Sequence, residues 1–111
     1  MVKIITLIKK KEGLSDQEFY SYWEKDHGPL IARIFPGVER YIQNHAVKLP
    51  GGGRAKYDGV VEIWYKDMES WRRASDFYQG DEGKVIIDDE AKFIDRDAMV
   101  FVVVEEKVIV G

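Results

Sequence analysis

Chemistry in this chain rests on two histidines and a set of carboxylates, because it contains no cysteine. Phe19, Trp23, His27, Leu30 and Ile34 recur at steps of three and four, the spacing of one helix face. His27 therefore lies on an apolar stripe. An unperturbed imidazole titrates at about pH 6.5, so one placed at such a site is suited to general acid or base work. A core histidine that hydrogen-bonds a backbone carbonyl and packs the helix would show the same spacing. Pro29 follows closely, and its ring and missing N–H should kink or tighten the helix just beyond His27.

Other candidates lie on strand-like stretches. Tyr41, Gln43 and His45 share one face by alternation, and Asn44 points to the other unless a bulge intervenes. His45, near a strand end, reads either as a site residue or as simply exposed. Further on, Asp58, Val60, Glu62 and Trp64 share a face. A mid-strand carboxylate is costly to bury unpaired, so Glu62 should either orient His27 or pair with Arg40. Asp58 reads as a strand start or a salt-bridge partner. Phe19, Trp23, Tyr41 and Trp64 are aromatics that would line a pocket for a flat apolar ligand, or equally fill a small core. The expected site has His27 as catalytic acid/base in a sheet-facing pocket with Trp23, Tyr41, Glu62 and Trp64. Tyr41 or Asn44 would donate to a ligand oxygen, with His45 nearby.

Composition removes several classes. Net charge is −3 and Lys9-Lys10-Lys11 is the only basic run, which argues against a nucleic-acid partner. Without cysteine there are no disulfides, thiolate nucleophiles or cysteine metal sites. His27, His45 and a carboxylate would form a two-histidine metal site only if the fold joined them, and no short ligand spacing argues for it. No metal and no organic cofactor is expected, although one histidine is also what a haem site would use. Gly51-Gly52-Gly53 beside Arg54 lacks the Gly-Lys-Ser/Thr and the following helix of a phosphate loop, and reads as a flexible hairpin loop. No serine sits in a nucleophile elbow, and there is no dinucleotide fingerprint. Ile4 to Ile8 is too short for a signal peptide, and Ala98 to Val104 falls well short of a membrane span. A cytoplasmic, membrane-free protein is the expectation.

The elements that position these residues follow from the pattern. Val2 to Ile8 is strand one. Ser15 with Glu18 forms a capping box, and Leu14 with Phe19 a hydrophobic staple, opening a helix from Asp16 to about Phe35 that Pro36-Gly37 ends. Val38 to Val47 is strand two and Asp58 to Tyr65 strand three. Asp67 caps a helix on which Met68, Trp71, Ala74 and Tyr78 share a face, and Gly80 breaks it. Asp81 to Ile94 reads as one or two short helical turns, and Met99 to Val110 as strand four. Strand-helix-strand twice gives an α+β ferredoxin-like βαββαβ domain over residues 1–111, with an antiparallel sheet and both helices on one face. Strands one and four are apolar on both faces, and nothing else in the chain can cover the second face, so a homodimer is expected.

The order of short motifs resembles that of EthD-type proteins. They are Phe19, Tyr22, Trp23, Asp26-His27-Gly28-Pro29-Leu30, Pro36-Gly37-Val38, Tyr41-Ile42-Gln43-Asn44, Tyr57-Asp58-Gly59 with Glu62-Ile63-Trp64, and Phe93-Ile94-Asp95. The resemblance implies a dimeric α+β barrel with a pocket between the sheet and the helices of each subunit, and His27 is the histidine matching the family pattern. The wider dimeric-barrel group includes cofactor-free lactone isomerases, polyketide cyclases, small quinone-forming monooxygenases and haem-binding enzymes. EthD proteins are named for an association with ether degradation, in a role resembling an accessory one. Two functions are therefore expected. One is a small-molecule enzyme without organic cofactor, acting on an aromatic, quinone, lactone or polyketide-like compound by proton transfer or cofactor-free oxygenation. The other is a non-catalytic ligand-binding or accessory protein for a small apolar or aromatic molecule.

Overall fold

The β-branched run Val2–Ile8 forms β1, and Val38–His45, Gly59–Tyr65 and Val100–Val104 form β2, β3 and β4 in a computed structural model that describes residues 1–53 and 55–111. Arg54, beside the glycine run, lies outside the described residues. The strands lie in the order β2-β3-β1-β4 with every pair antiparallel, which is the ferredoxin-like arrangement. Gly51 and Gly52 turn the β2–β3 connection with positive φ, a region side chains beyond glycine rarely enter.

Three strand lengths differ from the sequence reading, and β3 begins at Gly59, one residue late. β2 ends at His45, two residues early. β4 stops at Val104, not Val110, because its ladder with β1 ends where Val104 faces Lys3. The charged Glu105-Glu106-Lys107 follows, and Glu106 folds back to bind Lys3 Nζ at 3.2 Å.

The long helix is divided. Helix α1, Asp16–Tyr22, opens on the capping box: Ser15 Oγ accepts from Glu18 N–H at 3.0 Å, and Glu18 Oε1 accepts from Ser15 N–H at 2.9 Å. A π-helical turn follows over Trp23–His27, then helix α2 over Gly28–Ile34. Pro29 stands just after the wide turn, and the distortion falls over the turn that ends at His27 instead of beyond His27. One extra residue per π-turn rotates everything downstream. The expected stripe of Leu30 and Ile34 accordingly moves to Ile31, which is buried, and Phe35.

Helix α3, Met68–Gln79, is capped by Asp67, whose carboxylate accepts from Ser70 N–H at 2.8 Å. Ala74 is buried, but Met68 at the helix start is half exposed and does not join the inner face. Asp81–Gly83 is a 3₁₀ turn, and Lys84–Phe93 is a full helix, α4, where only short turns were expected. Its inner face is Ile86, Asp89, Glu90 and Phe93, an apolar stripe interrupted by two carboxylates.

The core lies between the helices and one sheet face. One cluster joins Ile8, Phe19, Trp23, Phe93 and Ile94, and a second joins Ile4, Tyr65 and Ala74. The Trp23 ring lies on Gly59, where an added Cβ would stand 2.4 Å from it. Trp23→Ala should therefore lower stability by about 3–5 kcal/mol. Gly59→Ala, by overpacking the same contact, should cost about 1–3 kcal/mol, and Ser15→Ala about 1 kcal/mol. Urea unfolding of the three variants checks this order, and a near-neutral Trp23→Ala would contradict the packing.

Candidate functional site

The π-turn sets the site. Its wide hydrogen bond runs from Gly28 N–H to Trp23 O, and Gln43 Nε2 on β2 donates to the same carbonyl at 2.8 Å. A Cβ at Gly28 would sit 2.8 Å from that Gln43 nitrogen, so a larger residue there would displace the Gln43 side chain from this hydrogen bond. The sheet can thus close on the helix, which leaves His27 only 5% exposed.

His27 does not bind a backbone carbonyl. Its Nδ1 lies 2.7 Å from Asp89 Oδ2 on α4, and Tyr22 Oη donates to the other Asp89 oxygen. A carboxylate can only accept, so Nδ1 carries a proton, and in the neutral ring Nε2 presents a lone pair. Nε2 has no hydrogen-bond partner among the described residues and is not sealed off. Burial pushes the Asp89 carboxyl up, but the hydrogen bonds from Tyr22 and His27, with the charges of His27 and Lys92, outweigh it and hold it below its ordinary range. Burial, together with the adjacent Asp89, pushes the Tyr22 phenol up to about 12, so it stays a donor.

His27 borders a cavity of about 340 Å³ between the helices and the sheet, within the size range of small-molecule sites. Its walls are chiefly apolar, from Ile4, Ile31, Val61, Ile63 and Trp71 among others, and Trp23 and Tyr41 also border it. Tyr41 Oη accepts from Gln43 Nε2 at 2.9 Å. Burial raises the Tyr41 phenol against the lowering effect of its hydrogen bonds.

The other expected residues lie elsewhere. Val61, Ile63 and Tyr65 are the cavity side of β3, so Glu62 and Trp64 point to the opposite sheet face. Asn44 joins them there, because the β2 bulge falls between Val38 and Arg40, before Tyr41, and does not alter the alternation afterwards. Glu62 neither orients His27 nor pairs with Arg40. It takes Lys3 Nζ at 3.3 Å and Asn44 Nδ2 at 3.2 Å. Trp64 donates to Glu106 Oε1 at 2.9 Å, with Lys3 and Arg40 over its ring.

His45 is on the helix side but does not border the cavity. It stacks on Trp23 at 4.5 Å and Tyr20 at 5.0 Å, and its Nε2 lies 2.9 Å from Gln43 Oε1. Asp58 marks the strand start: it accepts from Lys10 N–H at 2.7 Å. Among the described residues, no three His, Asp or Glu side chains converge as metal ligands.

Asp89, the partner of His27, was not among the sequence candidates. The signal for it was present: Ile86, Asp89 and Phe93 follow the helical spacing, so a carboxylate stood on an apolar stripe.

A two-layer α+β domain of ferredoxin-like topology, with a buried Asp–His pair beside an apolar cavity between its layers, defines the class. The EthD domain description matches residues 11–97, and the chain belongs to the EthD family. Among solved structures, an EthD family protein from Bacillus halodurans c-125 is similar at TM-score 0.72 and 31% identity, covering 96% of this chain and 99% of that one. An EthD-like protein from Ralstonia eutropha jmp134 gives TM-score 0.71 and 19% identity, covering 97% and 93%. A dimeric ferredoxin-like protein of unknown function from Thermobifida fusca yx gives 0.64 and 13%, covering 93% and 88%. The sequence matches no curated protein. No helix among the described residues is long and apolar enough to cross a membrane.

The lowered Asp89 carboxyl fixes a pH dependence. A carboxylate whose folded pKa lies below its ordinary value of 3.8 stabilises the fold fully above that value, and loses its contribution as pH falls toward the folded pKa. The stability advantage of the native chain over Asp89→Asn should shrink as pH falls below 3.8. Denaturant unfolding of both proteins between about pH 5 and about pH 2 measures it, and an advantage that grew as pH fell below 3.8 would contradict the assignment.

Proposed function

We propose that the protein is a small-molecule enzyme working without an organic cofactor, in which His27 moves a proton on a compact, largely apolar substrate held in the cavity. The observation that carries this reading is the Asp89–His27 pair, with Nδ1 held and Nε2 left for a ligand. The Nε2 lone pair takes a proton from carbon or oxygen of the substrate. The imidazolium that forms is stabilised by the Asp89 carboxylate, itself held by Tyr22. Returning the proton to another substrate atom completes an isomerisation or cyclisation with no net gain or loss. Tyr41 keeps its own hydroxyl hydrogen for the substrate oxygen that becomes negative. Asn44, Glu62 and Trp64 have no part in this site.

The same reading includes a homodimer. Ile5, Leu7, Val60, Val100 and Val102 share the sheet face away from the helices, and Val100 and Val102 are about half exposed in the single chain. A second copy packed on that face would remove them from water. The dimeric relative from Thermobifida fusca supports this arrangement.

Thermal-shift screening of phenols, quinones and lactones, followed by turnover assays on the hits, tests the function. His27→Gln should stay folded and lose about 10²–10⁴-fold in turnover. Unchanged turnover would remove His27 from the mechanism, and tight binding with no turnover of any hit would leave a ligand carrier. Ultracentrifugation should give twice 12.9 kDa, and Val102→Asp should lower that mass. A stable native monomer would sink the assembly.

A further inference from the structure

The cavity has a second polar wall that the proton transfer leaves unused. Glu90, next to Asp89 on α4, is 7% exposed and borders the cavity. Its Oε1 is fully engaged: Tyr78 Oη donates to it at 2.7 Å, and Arg96 Nε at 3.2 Å. Arg96 Nη2 also donates to Tyr78 Oη at 3.2 Å, closing a three-membered network. Oε2 makes no hydrogen bond among the described residues and is not sealed off. A buried carboxylate with one oxygen fixed and the other free beside an apolar cavity is an acceptor awaiting a donor.

Resting on the proposed ligand site, we infer that Glu90 is a specificity-determining residue, whose Oε2 accepts a hydrogen bond from a hydroxyl on the ligand. Arg96 already balances the carboxylate charge, so a neutral phenolic or enolic hydroxyl suits it better than an ammonium group. The substrate class is then an apolar ring compound bearing at least one free hydroxyl. Asp89 and Glu90 are adjacent in sequence, yet one serves His27 and the other reads the ligand.

The test compares 2-naphthol with its methyl ether, 2-methoxynaphthalene, which keeps the oxygen and lacks the donor. Dissociation constants are measured by tryptophan fluorescence and checked by calorimetry. The native protein should prefer the naphthol by about tenfold, as expected for one hydrogen bond to a charged acceptor. In Glu90→Gln, Tyr78 and Arg96 still demand an acceptor, so they hold the amide oxygen and turn its NH₂ toward the cavity. The preference should fall to parity or reverse, while circular dichroism and melting temperature show a folded protein. His27→Gln should keep the tenfold preference.

Equal binding of both probes by the native protein overturns the Glu90 assignment alone. A preference that survives Glu90→Gln and disappears in His27→Gln also overturns it, because His27 is then the acceptor. If the native protein binds neither probe, this inference falls, while the screen of phenols, quinones and lactones decides the proposed function separately. Should Glu90→Gln not fold, Arg96→Gln is the substitute. It leaves Glu90 in place and removes its counter-charge, and it should raise affinity for 2-naphthylmethylamine relative to the naphthol; no change overturns the inference.

Discussion

The structure depends on one additional residue in a helix. A regular helix from Asp16 to Ile34 would hold Trp23, His27 and the residues beyond on a single stripe. The π-turn over Trp23–His27 breaks that regularity and leaves the Trp23 carbonyl open enough to accept from both Gly28 and the Gln43 side chain. Three sequence features meet at this point. Pro29 cannot donate to the preceding turn, Gly28 leaves room for Gln43, and Gln43 sits on the face of β2 that looks at the helix. The result is a pin between the helix and the sheet at the one place where an imidazole must be held still. Ile31 and Phe35 then reach the cavity, where an unbroken helix would have sent Leu30 and Ile34.

Helix α4 is held by a second kind of pin. Burying a carboxylate without partners costs several kcal/mol, so each one has to be compensated where it stands. Asp89 receives a phenol from α1 and the imidazole, and Glu90 receives a phenol from α3 and a guanidinium. The two tyrosines thus tie one short helix to both of its neighbours. Because these bonds are directional, they fix the roll of α4 in a way that Ile86 and Phe93 alone would not. Gly83 tightens the same region, since a Cβ there would come within 2.2 Å of Tyr78 O.

Much of this was legible in the sequence, for identifiable reasons. Ser15, Glu18 and Asp67 announce their helices because capping is local chemistry, decided within a few residues. The strand order follows from element order and handedness. Alternation also grouped Tyr41 with Gln43 and His45, and Glu62 with Trp64. It could not say which group faced the helices, because both faces of the sheet carry apolar residues. Glu62 and Trp64 were assigned to the wrong side for that reason. Asp89 was hidden differently: its helix carries Asp88, Asp89 and Glu90 in succession, so the stretch reads as a polar turn until Ile86 and Phe93 are aligned on either side. A long-range partner of this kind leaves no local mark of its own.

Placing both carboxylates on a ten-residue helix has an evolutionary corollary. The sheet carries the fold, and the π-turn after α1 carries the imidazole, while the two carboxylates that border it and the cavity come from one segment at the edge of the domain. Substitutions in that segment leave the ladder of β1, β3 and β4 intact. A lineage could exchange the electrostatics of its pocket piecemeal while inheriting the scaffold unchanged. Divergence within such a scaffold should therefore concentrate in the stretch between α3 and β4, and chains that share the histidine need not share what its neighbour makes it do.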